Sequence, residues 1–173
     1  MEHHRNIGTF EAIYDTEAAG LLRFAFLKLS DLSLAEDVVS DVFLKFWKKY
    51  SDGEVIENPR ALLYTIGRRT IVDQYRRADF RTNVSIDKVD ESVLAAEDTI
   101  VKDIDFRDEY NNVREAMKEI KPEYADILLL HYVEELSINE IAEILNEKEN
   151  NLRVRLHRAL AALRKKVNTY LIS

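Results

Sequence analysis

Apolar residues recur every three or four positions over most of this chain, the spacing of helices with one buried face. Between residues 9 and 29 they fall at Phe10, Ile13, Tyr14, Leu21, Leu22, Phe24, Ala25 and Leu29. A second helix is predicted from Ser33, where Glu36 three residues on forms a capping box that satisfies two orphan N–H groups. Its inward stripe runs through Leu34, Val38, Val42 and Phe46, widened by Val39 and Phe43. Asp37, Asp41, Leu44 and Lys48 line up on the opposite face. A third helix begins at NPRALLY, with Asn58 as cap and Pro59 at the first helical position.

The third helix has two usable faces. Leu62, Ile66 and Thr70 suit packing, while Tyr64, Arg68, Ile71 and Tyr75 lie roughly opposite, with Arg69, Arg76 and Arg77 beside them. Aromatic rings interleaved with arginines can stack unpaired bases and neutralise the nucleic-acid backbone. The same tyrosines could instead pack on a neighbouring helix, and the spacing alone leaves both open.

Further on, KPEYADILLLHYVEE predicts a helix entered through Pro122 and buried by Ile127, Leu128 and Leu130. Ser137 and Glu140 form a second capping box for a short helix with Ile138, Ile141, Ala142 and Leu145 inward. Asn146 stands where a left-handed turn residue is wanted, and a last helix is predicted over about 149–167. Helix, short turn and helix make a helix-turn-helix, in which DNA readers lay the second helix in the major groove. Around that helix Leu152, Leu156, Ala159, Leu160 and Leu163 form the buried stripe. Opposite stand Asn151, Val154 and Arg158, flanked by Arg153 and Arg155. Asn and Arg offer paired donors for base edges, Val can touch a thymine methyl, and flanking arginines reach phosphates.

Between the two periodic regions, residues 82–105 are acidic, lack aromatics and hold no sustained helical stripe. They read as a linker with a short helical piece around ESVLAAEDTI. Four glycines and two prolines in 173 residues are too few for an all-β protein with many tight turns. No cysteine is present, which excludes disulfides, zinc thiolates and thiol switches and fits a reducing cytoplasm. No stretch reaches the ~18 apolar residues of a membrane span.

Charge sharpens the picture because it is segregated. The chain is acidic, with a net charge of -7. Yet residues 58–81 hold six basic side chains against two acidic ones, and residues 152–173 hold six against none. The field at a surface is set by local charge within ~8 Å, so two confined basic blocks can bind a polyanion on an acidic body. Solvated helix faces are the plainer explanation of each block taken alone.

Three motifs carry a family resemblance. LAEDVVSDVFLKFW, NPRALLYTIGRRTIVDQYRR and LSINEIAEILNEKENNLRVRLHRAL occur in that order. They resemble the core-binding, −10-reading and −35-reading segments of bacterial RNA polymerase sigma factors, specifically the small extracytoplasmic-function group of the sigma-70 family. The resemblance implies an all-α fold of two small helical domains: a region 2 helical bundle over 1–81 and a region 4 helix-turn-helix over 106–173. The acidic segment 82–105 would join them flexibly.

The resemblance also implies roles. Asp37, Asp41, Leu44 and Lys48 would face the clamp helices of the largest polymerase subunit. Tyr64, Arg68, Asp73, Arg76 and Arg77 would lie along the −10 strand of promoter DNA. Asn151, Arg153, Val154, Arg155, His157 and Arg158 would form the −35 recognition surface, with the domain resting on the flap region of the second-largest subunit. The linker would thread toward the RNA exit path. A free monomer acting in the cytoplasm is expected, and the group allows an anti-sigma factor, which no residue here identifies. Gly67 stands where Ala is common in the family, and Lys148 where a Ser cap is usual.

Other classes fit less well. Neither a Gly-rich phosphate loop nor a metal-ligand spacing is present, and His131 and His157 lie 26 residues apart. No catalysis, cofactor or metal is therefore expected. A helix-turn-helix regulator acting without polymerase is the alternative; it would normally dimerise and bind duplex DNA by itself.

Overall fold

A computed structural model describes residues 8–82 and 107–172. The chain divides into two compact units, and all regular structure among the described residues is helical. The predicted linker at 82–105, including its short helical piece, lies outside the described residues except for Thr82.

The first unit is built from α1 (Phe10–Leu29), α2 (Leu32–Ser51) and α3 (Pro59–Thr82). Thr9 caps α1 by accepting from the Ala12 N–H at 3.2 Å, and Ser30 ends it in the left-handed conformation at φ 55°. That turn brings Asp31 to the cap of α2, where its carboxylate accepts from Leu34 N–H at 2.9 Å. The capping box expected at Ser33 and Glu36 does not form: the helix starts two residues earlier, on a single cap from Asp31. Asp31 caps as well as Ser does, and starting there adds Leu32 and Ser33 to the helix. At α3 the expectation holds: the Asn58 side chain accepts from Ala61 N–H at 3.0 Å.

Leu21, Phe24 and Ala25 of α1, Val38, Val42 and Phe46 of α2, and Leu63, Tyr64 and Ile71 of α3 form a closed core. Gly67 is part of its construction. A Cβ placed there would lie 3.1 Å from Leu21 Cδ1 and 4.0 Å from Val42 Cγ2, so the helices pack closely because this side chain is missing. Glycine costs a helix about 1 kcal/mol relative to alanine, and the close approach explains why it stands here. Gly67→Leu is expected to destabilise this unit by about 1–3 kcal/mol through overpacking. Urea unfolding of the variant checks it.

The second unit contains α4 (Arg107–Lys118), α5 (Pro122–Leu128), α6 (Ile138–Leu145) and α7 (Glu149–Ile172). The helix expected through 122–135 does not stay regular. After Leu128 it widens into a π-helical turn, Leu129–Val133, closed by Glu134 N–H to Leu129 C=O at 3.0 Å. The four consecutive residues Ile127 to Leu130 are all buried there. His131 Nδ1 lies 2.9 Å from the Leu136 carbonyl, so this histidine braces the chain reversal that follows. Both halves of the Ser137–Glu140 capping box form, at 3.2 and 2.9 Å. Asn146 ends α6 at φ 52°, ψ 50°, the left-handed turn its identity suggested. Ile144, which was not among the inward residues expected, is buried beside Ile141.

Candidate nucleic-acid and polymerase interfaces

Segment 146–148 is the turn of the helix-turn-helix, and Leu152 and Ala159 anchor α7 with no exposed surface. Leu156, Leu160 and Leu163 are half-buried, completing the expected stripe. The reverse face is open: Asn151, Arg153, His157 and Arg158 are exposed, and Val154 retains 52% of its surface. Lys148 accepts the first helical bonds through its carbonyl, from Asn151 and Leu152 N–H at 3.0 and 3.2 Å. Its side chain carries no acceptor to cap the helix start.

The arginines of this face differ in their surroundings. Arg153 reaches Glu149 at 2.9 Å, one helical turn away. Arg155 is half-buried and meets Glu147 at 2.6 Å, a contact from the turn to the second turn of α7. Neither glutamate was singled out from the sequence. The Glu149–Arg153 pair was readable from its i, i+4 spacing, whereas Glu147 and Arg155 meet only through the geometry of the turn.

On α3 the structure separates residues that the sequence grouped. Tyr64 is fully buried, its ring edge-on to Phe24 with centroids 5.6 Å apart and planes at 75°. Its assignment to the DNA-facing surface is corrected: α3 packs against both α1 and α2, so its buried sector is wider than one stripe and takes in Tyr64 and Ile71. Arg68 is half-buried, while Asp73, Arg76 and Arg77 are exposed on the second half of the helix. Asp73 and Arg76 approach to 4.0 Å, a loose pair in water. Tyr75 is 43% exposed, and its hydroxyl donates to the Lys28 carbonyl of α1. The exposed basic surface of α3 therefore spans about 68–77 and carries one accessible tyrosine.

The outer face of α2 keeps the pattern read from the sequence. Asp37, Leu44 and Lys48 are exposed, Leu44 by 68%. Asp41 is half-exposed and pairs with Lys45 at 2.7 Å. Lys45 also donates to Thr70 Oγ1 at 3.3 Å, linking this face to α3, a role missed from the sequence. Beside Leu44 lies Trp47, 47% exposed, with its ring 4.9 Å from Phe10 and 5.9 Å from Tyr50. The face thus combines acidic groups with an apolar ledge.

Among the described residues, no group of three His, Cys, Asp or Glu is arranged to hold a metal ion. No described helix is long and apolar enough to cross a membrane.

Comparison with known proteins matches both units. Residues 13–81 match the sigma-70 region 2 family, and residues 110–163 match the sigma-70 region 4 family. The chain is 31% identical over 160 residues to the ECF RNA polymerase sigma factor SigL of Mycobacterium tuberculosis, covering 88% of this chain and 85% of that protein. It is 24% identical over 160 residues to the ECF sigma factor SigX of Bacillus subtilis, covering 91% and 82%. Among solved structures, the sigma factor RpoE of Bartonella quintana, crystallised with the anti-sigma factor NepR, shares the fold. Its TM-score is 0.69 at 20% identity, covering 92% of this chain and 96% of that one.

Proposed function

Since this chain belongs to the extracytoplasmic-function group of the sigma-70 family, and is therefore a promoter-directing initiation factor of RNA polymerase and not an enzyme, we propose that its exposed surfaces divide the work. The outer face of α2 docks on the clamp helices of the largest polymerase subunit. Its second unit rests on the flap region of the second-largest subunit. The exposed end of α3 follows the −10 strand, and the outer face of α7 enters the major groove at the −35 element.

The observation that carries this reading is the confinement of positive charge. On an acidic chain, Arg76 and Arg77 of α3 and Arg153, Arg155 and Arg158 of α7 gather on helix faces whose opposite sides are core. Phosphate binding rises with the number of cations brought to the backbone. The remaining acidic surface opposes approach to DNA until polymerase holds the factor in place. The free chain is accordingly expected to have weak affinity for DNA. The family also allows capture by an anti-sigma factor, as the sigma factor RpoE of Bartonella quintana is found with NepR.

On the polymerase side, Leu44 and Trp47 supply apolar area and Asp37 and Asp41 fix polarity. Asp41→Lys is expected to weaken binding to core polymerase at least tenfold, about 1.4 kcal/mol, by reversing a charge and setting it against Lys45. Titration of labelled full-length chain with core enzyme measures this. Wild-type affinity in the variant would remove α2 from the interface.

A further inference from the structure

Two of the three arginines on the DNA-facing side of α7 already carry a counter-charge. Glu149 holds Arg153 at 2.9 Å, with both side chains about half-exposed. Glu147 holds Arg155 at 2.6 Å, with both about one-quarter exposed. Arg158 is exposed, and among the described residues no carboxylate pairs with it.

Surface ion pairs hold weakly and exchange partners easily, so neither glutamate locks its arginine away from DNA. The carboxylates nevertheless stay at the edge of the reading surface after an arginine has turned to a phosphate. There they lie within a Debye length of the backbone and repel it. Each glutamate thus subtracts from the sequence-independent part of binding, which scales with the phosphates neutralised. Paired hydrogen bonds from Arg158 or Asn151 to a base edge depend on direct contact and are much less affected.

Building on the promoter-reading role above, we propose that Glu147 and Glu149 are specificity-determining residues of the −35 reader. Each partly neutralises the arginine beside it, which suppresses binding to arbitrary duplex and raises the ratio of cognate to non-cognate occupancy. Affinity is given up for discrimination, the quantity that decides occupancy among many competing sites. On this account Arg158 is the principal arginine for base recognition, and Arg153 and Arg155 are moderated phosphate contacts.

The test is titration of the full chain onto duplex DNA of unrelated sequence at several NaCl concentrations. Glu147→Gln, Glu149→Gln and the double variant are compared with Glu123→Gln, the same charge change at an exposed residue outside the helix-turn-helix. Each of the first two should tighten binding about threefold or more. The double variant should also steepen the slope of log K against log salt, by up to about 0.9 for each glutamate removed, the value for one whole phosphate contact. With core polymerase, it should transcribe from a promoter with a scrambled −35 element at a larger fraction of its cognate rate than wild type does. Glu149→Gln alters only an exposed pair, so the comparison stays readable if Glu147→Gln loosens the turn.

An unchanged slope and affinity in the double variant, or an equal shift in Glu123→Gln, would overturn the proposal. A wild-type chain inactive with core polymerase would instead overturn the promoter-reading role beneath it, which the duplex titration does not depend on.

Discussion

Tyr64→Ala is expected to destabilise the first unit by about 3–5 kcal/mol, the usual cost of removing a buried aromatic ring. Tyr64 has no exposed surface and meets Phe24 edge-on at 5.6 Å, so its loss opens a cavity between α3 and α1. Domains of this size are stable by only about 5–15 kcal/mol, so much of the unit's stability would go. Tyr64→Phe keeps the ring and should cost no more than about 1.5 kcal/mol, the worth of one hydroxyl interaction. The pair of variants separates packing from base stacking. If Tyr64 supports the fold, Tyr64→Phe melts promoters like wild type while Tyr64→Ala fails through unfolding. Loss of promoter opening in a stably folded Tyr64→Ala protein would return this ring to the DNA-facing surface.

Arg158→Ala is expected to weaken −35 recognition by about 1–3 kcal/mol, roughly fivefold to more than a hundredfold, and to relax base preference at one position. Arg158 stands on the face opposite Leu152 and Ala159, exposed and close to Val154 along the same ridge. A guanidinium there can meet two acceptors of a guanine edge at once. Arg153→Ala, which removes a side chain already paired with Glu149, should instead weaken binding by similar amounts on all sequences. Selection of bound −35 sequences by polymerase carrying each variant measures the difference. An unaltered preference in Arg158→Ala would discard the assignment of this face to the groove.

How much of this could be read in advance depended on how local each cause was. Asn58, the Ser137–Glu140 box and Asn146 act within a few residues, and each does what its side chain suggests. The start of α2 was misplaced because Asp31 and Ser33 are both good caps two residues apart. What decided between them was the left-handed turn at Ser30, which spacing does not reveal. The π-helical turn after Leu128 was hidden for a similar reason. An unbroken run of apolar residues has no period to disturb, so it fits a widened turn as well as a regular one.

Tyr64 shows a different limit. A step of 100° places each residue around a helix, yet it does not say how many neighbours that helix has. With α1 and α2 both packed on α3, the interior takes more of its circumference than one stripe. For α7 the buried and open faces fell where the period put them. The partner of Arg155 did not, because Glu147 is eight residues away and reaches it across the turn. The open side chains of α2 were legible as a face, while Lys45 bridging to Thr70 needed the third helix in place.

At the centre of this account, the basic faces of α3 and α7 act on promoters only when polymerase carries them. In-vitro transcription on a library of random promoter sequences, with core polymerase alone, with this chain alone and with both together, tests that most directly. The account predicts transcripts only from the combined reaction, drawn from templates that share a −10 and a −35 element, and little retention of the same templates by the chain alone. Selection of the same sequences by the chain alone, or no transcripts from the combined reaction, would contradict it.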